Sequence, residues 1–152
     1  MNHVMISSEG VKKPSWASKA VSFCEKVLSK LSLDNWELSV VFCTNDFIRD
    51  LNKRFRGIDE PTDILSFSQV EGSDFPDVNG GRSVIGDMII SLDMLQETSK
   101  EVSIPPQEEL KRLLIHGILH LSGQDHNSTD SQEPMLIYQE QIFNDLREEI
   151  IF

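Results

Sequence analysis

A run of apolar residues in the C-terminal half of the chain places the strongest constraint on its fold. Residues 110–121 are apolar except for two basic residues and two histidines. Pro105 and Pro106 precede this run and Gly123 follows it, which are residue types typical of a helix start and a helix end. A helix that is apolar on nearly all sides has to lie inside the protein. The sequence therefore predicts a buried central helix surrounded by other elements.

The remaining patterns predict both helices and strands. Apolar residues three and four apart indicate helices, whereas alternating apolar residues indicate strands. The predicted helices run from Pro14 to near Asp34, from Thr44 to Gly57, from Ser91 to Val102 and from Met135 to Ile150, and the predicted strands are residues 36–42, 64–67 and 84–90. The sequence predicts an α+β fold in which helices cover a small mixed sheet. Its 152 residues correspond to a single domain, residues 1–152.

The overall charge restricts how the protein can meet a nucleic acid. The chain has 14 Lys and Arg against 25 Asp and Glu, a net charge of −11. Long-range attraction to a polyanion is therefore absent, and a nucleic-acid partner would need a local basic patch. Arg49, Lys53 and Arg56 share one stripe of the second predicted helix and could form such a patch. The alternative is that this stripe is an ordinary solvated helix face.

Cysteine usage and hydropathy indicate a cytoplasmic protein. Cys24 and Cys43 lie in apolar stretches without paired spacing, which predicts reduced core thiols. The chain lacks both a signal-peptide pattern and an apolar run long enough to cross a bilayer. Residues 71–81, which are acidic and contain two adjacent glycines, are interpreted as a surface loop.

Three of the four histidines fall within residues 116–126. His116 and His120 are one helical turn apart and project from the same face. Gly123 permits a left-handed turn that can bring His126 back to the same point. Three imidazoles with a fourth position left for water are typical of catalytic zinc, although nickel and copper also accept such ligands. The alternative, satisfied core histidines, requires a hydrogen-bond partner for each ring.

The histidine spacing is also that of the metzincin proteases, H-E-x-x-H-x-x-G-x-x-H. Gly117 stands where those enzymes carry the glutamate that acts as general base, which argues against peptide hydrolysis. A glycine inside a buried helix costs about 1 kcal/mol relative to alanine, which indicates close approach of another element or of substrate.

Three segments resemble the YbeY family of bacterial endoribonucleases. They are HGILHLSGQDH at residues 116–126, LNKRFRGIDEPTDILSF at residues 51–67 and GDMIIS at residues 86–91. Together they cover about a quarter of the chain, in the family's order and spacing. Two positions depart from the pattern: Gln124 stands where many relatives have an aromatic residue, and Ser68 where many have proline.

The resemblance implies a single α+β metal-dependent hydrolase domain with zinc on His116, His120 and His126. It implies cleavage of single-stranded RNA during ribosomal RNA maturation and ribosome quality control. The implied partners are the small ribosomal subunit, a ribosomal protein and an assembly GTPase. Arg56 matches an arginine that is functionally important in the family.

The residues themselves also suggest a role for Arg56, because a guanidinium can donate to the charged oxygens that develop in phosphodiester hydrolysis. We therefore predict Arg56 as the catalytic side chain outside the metal site. Asp125 could orient an imidazole or cap the turn. Asp63 and Asp87 could line the site, with turn capping as the alternative for Asp63 and a role in binding as the alternative for Asp87.

Two other functions are compatible with parts of the sequence. A zinc peptidase is favoured only by the histidine spacing. A non-enzymatic ribosome-assembly factor would use the metal structurally and dock its acidic C-terminal face on a basic protein.

Overall fold

A computed structural model describes residues 1–68, 84–124 and 133–152. The described residues form four strands and five helices. In chain order they are β1 (His3–Glu9), α1 (Ala17–Lys30), β2 (Trp36–Cys43), α2 (Asn45–Arg56), β3 (Ile64–Ser68), β4 (Val84–Ser91), α3 (Leu92–Val102), α4 (Pro106–Leu121) and α5 (Pro134–Asp145).

The strands form one mixed sheet in the order β1-β2-β4-β3. β1 and β4 run parallel to β2, whereas β3 pairs antiparallel with β4. β3 is therefore an edge strand, with Ser66 opposite Met88 and Phe67 opposite Asp87. The predicted α+β class and small mixed sheet are confirmed.

Helices cover both faces of the sheet unequally. The main core joins one face, through Val40, Met88 and Ile90, to α1, α3, α4 and α5. A smaller cluster lies on the other face, where Ile48 of α2 packs with Leu65 and Ile89. Each strand residue thus points either toward α4 or toward α2, since successive side chains alternate.

The central helix predicted from the apolar run is α4. Between Leu110 and Leu121 every residue is buried except Arg112, His116 and His120, which are partly exposed. Lys111 is also buried, and its ammonium group donates a hydrogen bond to the carbonyl oxygen of Arg147 at 3.1 Å.

Local sequence signals define several helix ends. The hydroxyl groups of Thr44 and Ser91 each accept a hydrogen bond from a backbone N–H three residues later, at 3.2 Å in both cases. Gly57 ends α2 in the left-handed region, with φ 73°. These three predicted boundaries are confirmed.

Other boundaries differ from the prediction. β1 was not predicted because only Ile6 of its seven residues is buried, so the edge strand lacks a clear apolar alternation. α1 ends at Lys30 rather than near Asp34, and Ser32 follows with a positive φ of 57°. α5 ends at Asp145, so Ile150 lies beyond it.

Cys24 and Cys43 are buried and unbridged, as predicted. Burial raises the pKa of both thiols to about 12. Among the described helices, none combines the length and the apolar character required to span a bilayer. The loop predicted at residues 71–81 lies outside the described residues.

Candidate metal centre

Two predicted ligands lie side by side on α4. Nε2 of His116 and Nε2 of His120 are 3.0 Å apart. The rings meet edge to face, with their centroids 4.5 Å apart and an interplanar angle of 77°. The i, i+4 spacing therefore directs one nitrogen of each imidazole to a common point.

A glutamine from α5 holds the first of these rings. Oε1 of Gln139 lies 2.7 Å from Nδ1 of His116. The amide oxygen is an acceptor, so Nδ1 carries the proton and donates it. In the neutral ring Nε2 is then the nitrogen with the lone pair, which is the form that binds a metal.

The histidine pair fits a zinc ion. At bond lengths of about 2.0 to 2.1 Å, two nitrogens of a tetrahedral site lie about 3.3 Å apart, close to the separation of the two Nε2 atoms. The hydrogen bond that His116 donates to Gln139 is also the kind of outer contact that metal-binding histidines make. The donor chemistry and the convergence of the two rings therefore both agree with the predicted metal.

The third predicted ligand, His126, and its neighbour Asp125 lie outside the described residues. Within the described ranges no three His, Cys, Asp or Glu residues form a set that could hold a metal ion. The turn leading toward His126 is described, because Gly123 has φ 99° and its N–H donates to the carbonyl of His120 at 3.0 Å. The N–H of Gln124 donates to Leu119 at 3.1 Å, which completes a Schellman motif. The helix thus ends as the sequence predicts, directly after the second histidine.

Gly117 brings α4 close to the sheet. A Cβ atom at this position would collide with Sδ of Met88 and would lie 2.9 Å from Cδ1 of Ile64. The predicted close approach is therefore to β3 and β4. Position 117 faces the sheet, and a glutamate there would meet packed side chains.

The polar side of α4 continues beyond the histidines. Glu109 and Arg112 lie on the same stripe as His116 and His120, since successive members of this set are three or four residues apart. Arg112 forms an ion pair with Glu140 of α5, with Nε to Oε2 at 3.1 Å, and lies 4.1 Å from the ring centroid of Phe143. These contacts fasten α5, the helix that carries Gln139, to α4.

The carboxyl group of Glu109, on this stripe of α4, has a raised pKa. Burial raises its pKa, the carboxylates of Asp63 and Glu140 raise it further, and Arg112 acts in the opposite direction. Sequence reasoning did not identify Glu109, Arg112 or Gln139. The helical spacing could have revealed the first two, whereas Gln139 lies 23 residues from its partner and has no local signal.

Arg56 lies at the edge strand β3. Its Nη2 atom donates to the carbonyl oxygen of Ser66 at 3.0 Å, and its guanidinium lies 5.0 Å from the ring centroid of Phe67. Arg56 is exposed, and no ion pair joins it to a carboxylate within the described part of the chain. α4 approaches the same strand at Ile64, on the opposite face from Phe67.

The rest of the predicted basic stripe is neutralised locally. Nε of Arg49 lies 2.9 Å from Asp59, and Nζ of Lys53 lies 3.8 Å from the same carboxylate. The hydrogen bond from Arg49 holds the pKa of Asp59 below its usual value. The structure thus favours the solvated-face interpretation for Arg49 and Lys53 and distinguishes Arg56 from them.

The two described aspartates do not share one role. Oδ1 of Asp63 accepts a hydrogen bond from the N–H of Ile64 at 2.8 Å, which is the predicted turn-capping alternative. Asp87 lies between Gly86 and Met88, whose positions face α4, so its side chain points toward the α2 face. Strand alternation therefore turns Asp87 away from the histidines and toward the face that carries Phe67, its partner on β3, so a role in the site or in binding stays a prediction.

The comparisons with known proteins identify the family of this chain. The family model described as Endoribonuclease YbeY matches residues 4–147. Proteins named Endoribonuclease YbeY are 44% identical in Treponema pallidum, with 93% of this chain and 88% of the relative covered, and 43% identical in Borrelia duttonii, with 92% of each covered.

A solved structure is also similar. The solution structure of TM1509 from Thermotoga maritima is 25% identical in sequence and aligns with a TM-score of 0.52, covering 99% of this chain and 95% of that one. The family model and the relatives extend over nearly all of the chain, well beyond the three motif segments. The chain belongs to the endoribonuclease YbeY family.

Proposed function

We propose that this protein is a metal-dependent endoribonuclease that cuts single-stranded RNA in ribosomal RNA maturation and ribosome quality control. Membership of a family of endoribonucleases supports RNA as the substrate. The metal-dependent part of the proposal rests on the Nε2 atoms of His116 and His120, which lie 3.0 Å apart. Gln139 supports it, because it accepts a hydrogen bond from Nδ1, the other ring nitrogen of His116.

The proposed metal is one zinc ion on His116, His120 and His126, with nickel and copper as other ions that accept imidazole ligands. When bound, the ion supplies a Lewis acid that lowers the pKa of a coordinated water to about 7. Gln139 orients His116 through Nδ1, and His120 presents Nε2 to the same point. Gly117 offers no side chain that could act as general base.

Arg56 is proposed to hold a phosphate of the RNA. One N–H donates to Ser66, and the planar guanidinium has five in total, so further donors are available to phosphate oxygens. Ser66 and Ile64 are two residues apart on β3, which corresponds to about 7 Å along the strand. Ile64 is the β3 residue against which α4 packs at Gly117. An RNA strand that crosses this edge of the sheet can meet both Arg56 and the histidine pair.

The ribosomal partners belong to the same proposal. A protein with a net charge of −11 attracts naked RNA poorly, so delivery by the small ribosomal subunit, a ribosomal protein or an assembly GTPase suits its electrostatics. The acidic C-terminal face, with Glu148 and Glu149 near its end, would suit a basic ribosomal protein. The proposal places the protein in the cytoplasm, where ribosomes are assembled.

The other two functions are less favoured. A zinc peptidase would need a base at position 117, where the closely packed sheet leaves no room. A purely structural assembly factor does not fit relatives that are named endoribonucleases.

The decisive experiment measures RNA cleavage and bound zinc in the same preparations. The variants are His120→Ala and Arg56→Ala. Arg147→Ala is the matched control, since Arg147 also combines an exposed guanidinium, a side-chain hydrogen bond and a nearby aromatic ring.

We expect His120→Ala to lose both zinc and cleavage. We expect Arg56→Ala to retain zinc and lose cleavage, while Arg147→Ala keeps both. Full zinc occupancy together with undiminished cleavage in His120→Ala would refute the proposed site.

A further inference from the structure

An aromatic ring beside Arg56 is left facing solvent. Phe55, in the last turn of α2, is 61% exposed, although burial of a phenylalanine side chain is favourable. Ile48 and Leu51 lie on the same apolar stripe of α2 and pack in the small cluster beneath the sheet. Phe55 continues this stripe past the edge of the sheet, where the sheet no longer covers it.

Phe55 has a defined orientation despite its exposure. Its ring meets Phe67 of β3 edge to face, with centroids 5.5 Å apart and an interplanar angle of 64°. Phe67 is itself held under the Arg56 guanidinium. Phe55 is therefore held against Phe67 while much of its surface remains accessible.

The surroundings of Phe55 are cationic in an acidic protein. Arg54 and Arg56 flank it in sequence, and the Arg54 guanidinium lies 5.6 Å from the Phe55 ring centroid. Arg54 forms an ion pair with Asp50 at 3.3 Å between exposed groups, and such pairs are weak. An exposed aromatic ring flanked by arginines is the arrangement that proteins use to stack bases and hold the backbone of a single-stranded nucleic acid.

We infer that Phe55 is a stacking platform for an unpaired base of the RNA strand, with Arg56 on an adjacent phosphate. This inference rests on the proposed function and adds a base-binding subsite to it. Stacking on an aromatic face requires an unpaired base but little sequence identity, so the platform would select single strands over duplexes.

The test compares RNA with and without bases. The two ligands are a single-stranded RNA of about ten nucleotides and a chain of equal length with abasic residues, which keeps the phosphates. Binding to the full-length zinc-loaded protein is followed by fluorescence anisotropy, and gel electrophoresis verifies that the RNA stays intact. The variants are Phe55→Leu, which keeps an apolar side chain without the ring, and Phe55→Trp, which keeps a stacking face. Val102→Ala is the control, because Val102 is an exposed apolar residue on α3.

We expect Phe55→Leu to weaken binding of the base-containing RNA about five- to a hundredfold, and to leave binding of the abasic chain unchanged. Phe55→Trp and Val102→Ala should bind both ligands like the wild type. Equal weakening of binding for both ligands, or no weakening for either, would overturn the stacking platform. The exposed ring would then be assigned to contact with a protein partner. If Phe55→Leu weakens binding only of the base-containing RNA, but the wild type cuts no RNA, the stacking platform is supported and the proposed nuclease function is refuted. If the wild type cuts RNA but Phe55→Leu shows no such selective weakening, the nuclease function is supported and the platform is refuted.

Discussion

Gln139 and His116 form a hydrogen bond that joins α5 to α4 at the candidate metal centre, with Oε1 and Nδ1 2.7 Å apart. Because this contact fixes the proton on Nδ1, it determines which nitrogen of His116 faces His120. The bond joins a ligand of the proposed metal to a helix that contributes no predicted ligand of its own.

Removing this acceptor should weaken metal binding. We expect Gln139→Leu to lower zinc affinity about 10- to 100-fold, the usual cost of losing such an outer contact. Gln139→Glu, which keeps an acceptor oxygen, should bind zinc at least as tightly as the wild type. Competition with a chromogenic chelator measures the affinity. Gln141→Leu is the control on the exposed side of the same helix, and equal affinities for Gln139→Leu and Gln141→Leu would contradict the prediction.

A phosphate contact by Arg56 should be visible in the salt dependence of RNA binding. For single strands, each neutralised phosphate contributes about 0.7 to the slope of log affinity against log salt concentration. Arg56→Ala should therefore reduce this slope by about 0.7, while Arg147→Ala leaves it unchanged. An unaltered slope in Arg56→Ala would show that Arg56 does not contact a phosphate of the RNA.

Restoring the metzincin glutamate should damage the protein rather than create a peptidase. Gly117→Glu would drive a carboxylate into Met88 and Ile64, and an uncompensated buried charge typically costs about 3 to 5 kcal/mol. Urea denaturation should show this loss, and casein should remain uncut. Gly117→Ala, which adds only a Cβ, should lose less stability. A stable Gly117→Glu protein that digests casein would show that position 117 has room for a base.

The stability of the protein should depend on pH through Glu109. The pKa of Glu109 is raised in the folded state, so the ionised carboxylate lowers the free energy of unfolding. This loss of stability develops as the pH rises from the ordinary glutamate pKa of about 4.3 through the raised pKa of the folded state. Glu109→Gln should therefore raise the melting temperature at pH 7 but have little effect near pH 4. The gain should stay within about 1 kcal/mol, because the carboxyl group is partly exposed. The control Glu148→Gln, at an exposed position, should have the melting temperature of the wild type at both pH 4 and pH 7. A lower melting temperature for Glu109→Gln at pH 7 would contradict a raised pKa for Glu109.

Local patterns account for much of the fold and part of the candidate site. The apolar run around His116 and His120 predicted a buried helix because few polar residues interrupt it, and Gly123 marked its end. β1 was missed because an edge strand with one buried residue leaves no pattern. Gln139 was missed because its role depends on how two helices pack. Strand alternation, which the sequence already implied, could have placed Asp87 on the sheet face away from the histidines.

Gly117 links the packing of α4 on the sheet to the chemistry available at the proposed site. The absence of one Cβ atom lets α4 rest on β3 and β4 and, at the same position, leaves no carboxylate beside the proposed metal ligands. A substitution that adds this carboxylate has to displace the side chains of Met88 and Ile64. A change toward peptidase chemistry at this position is therefore also a change in how α4 packs on the sheet.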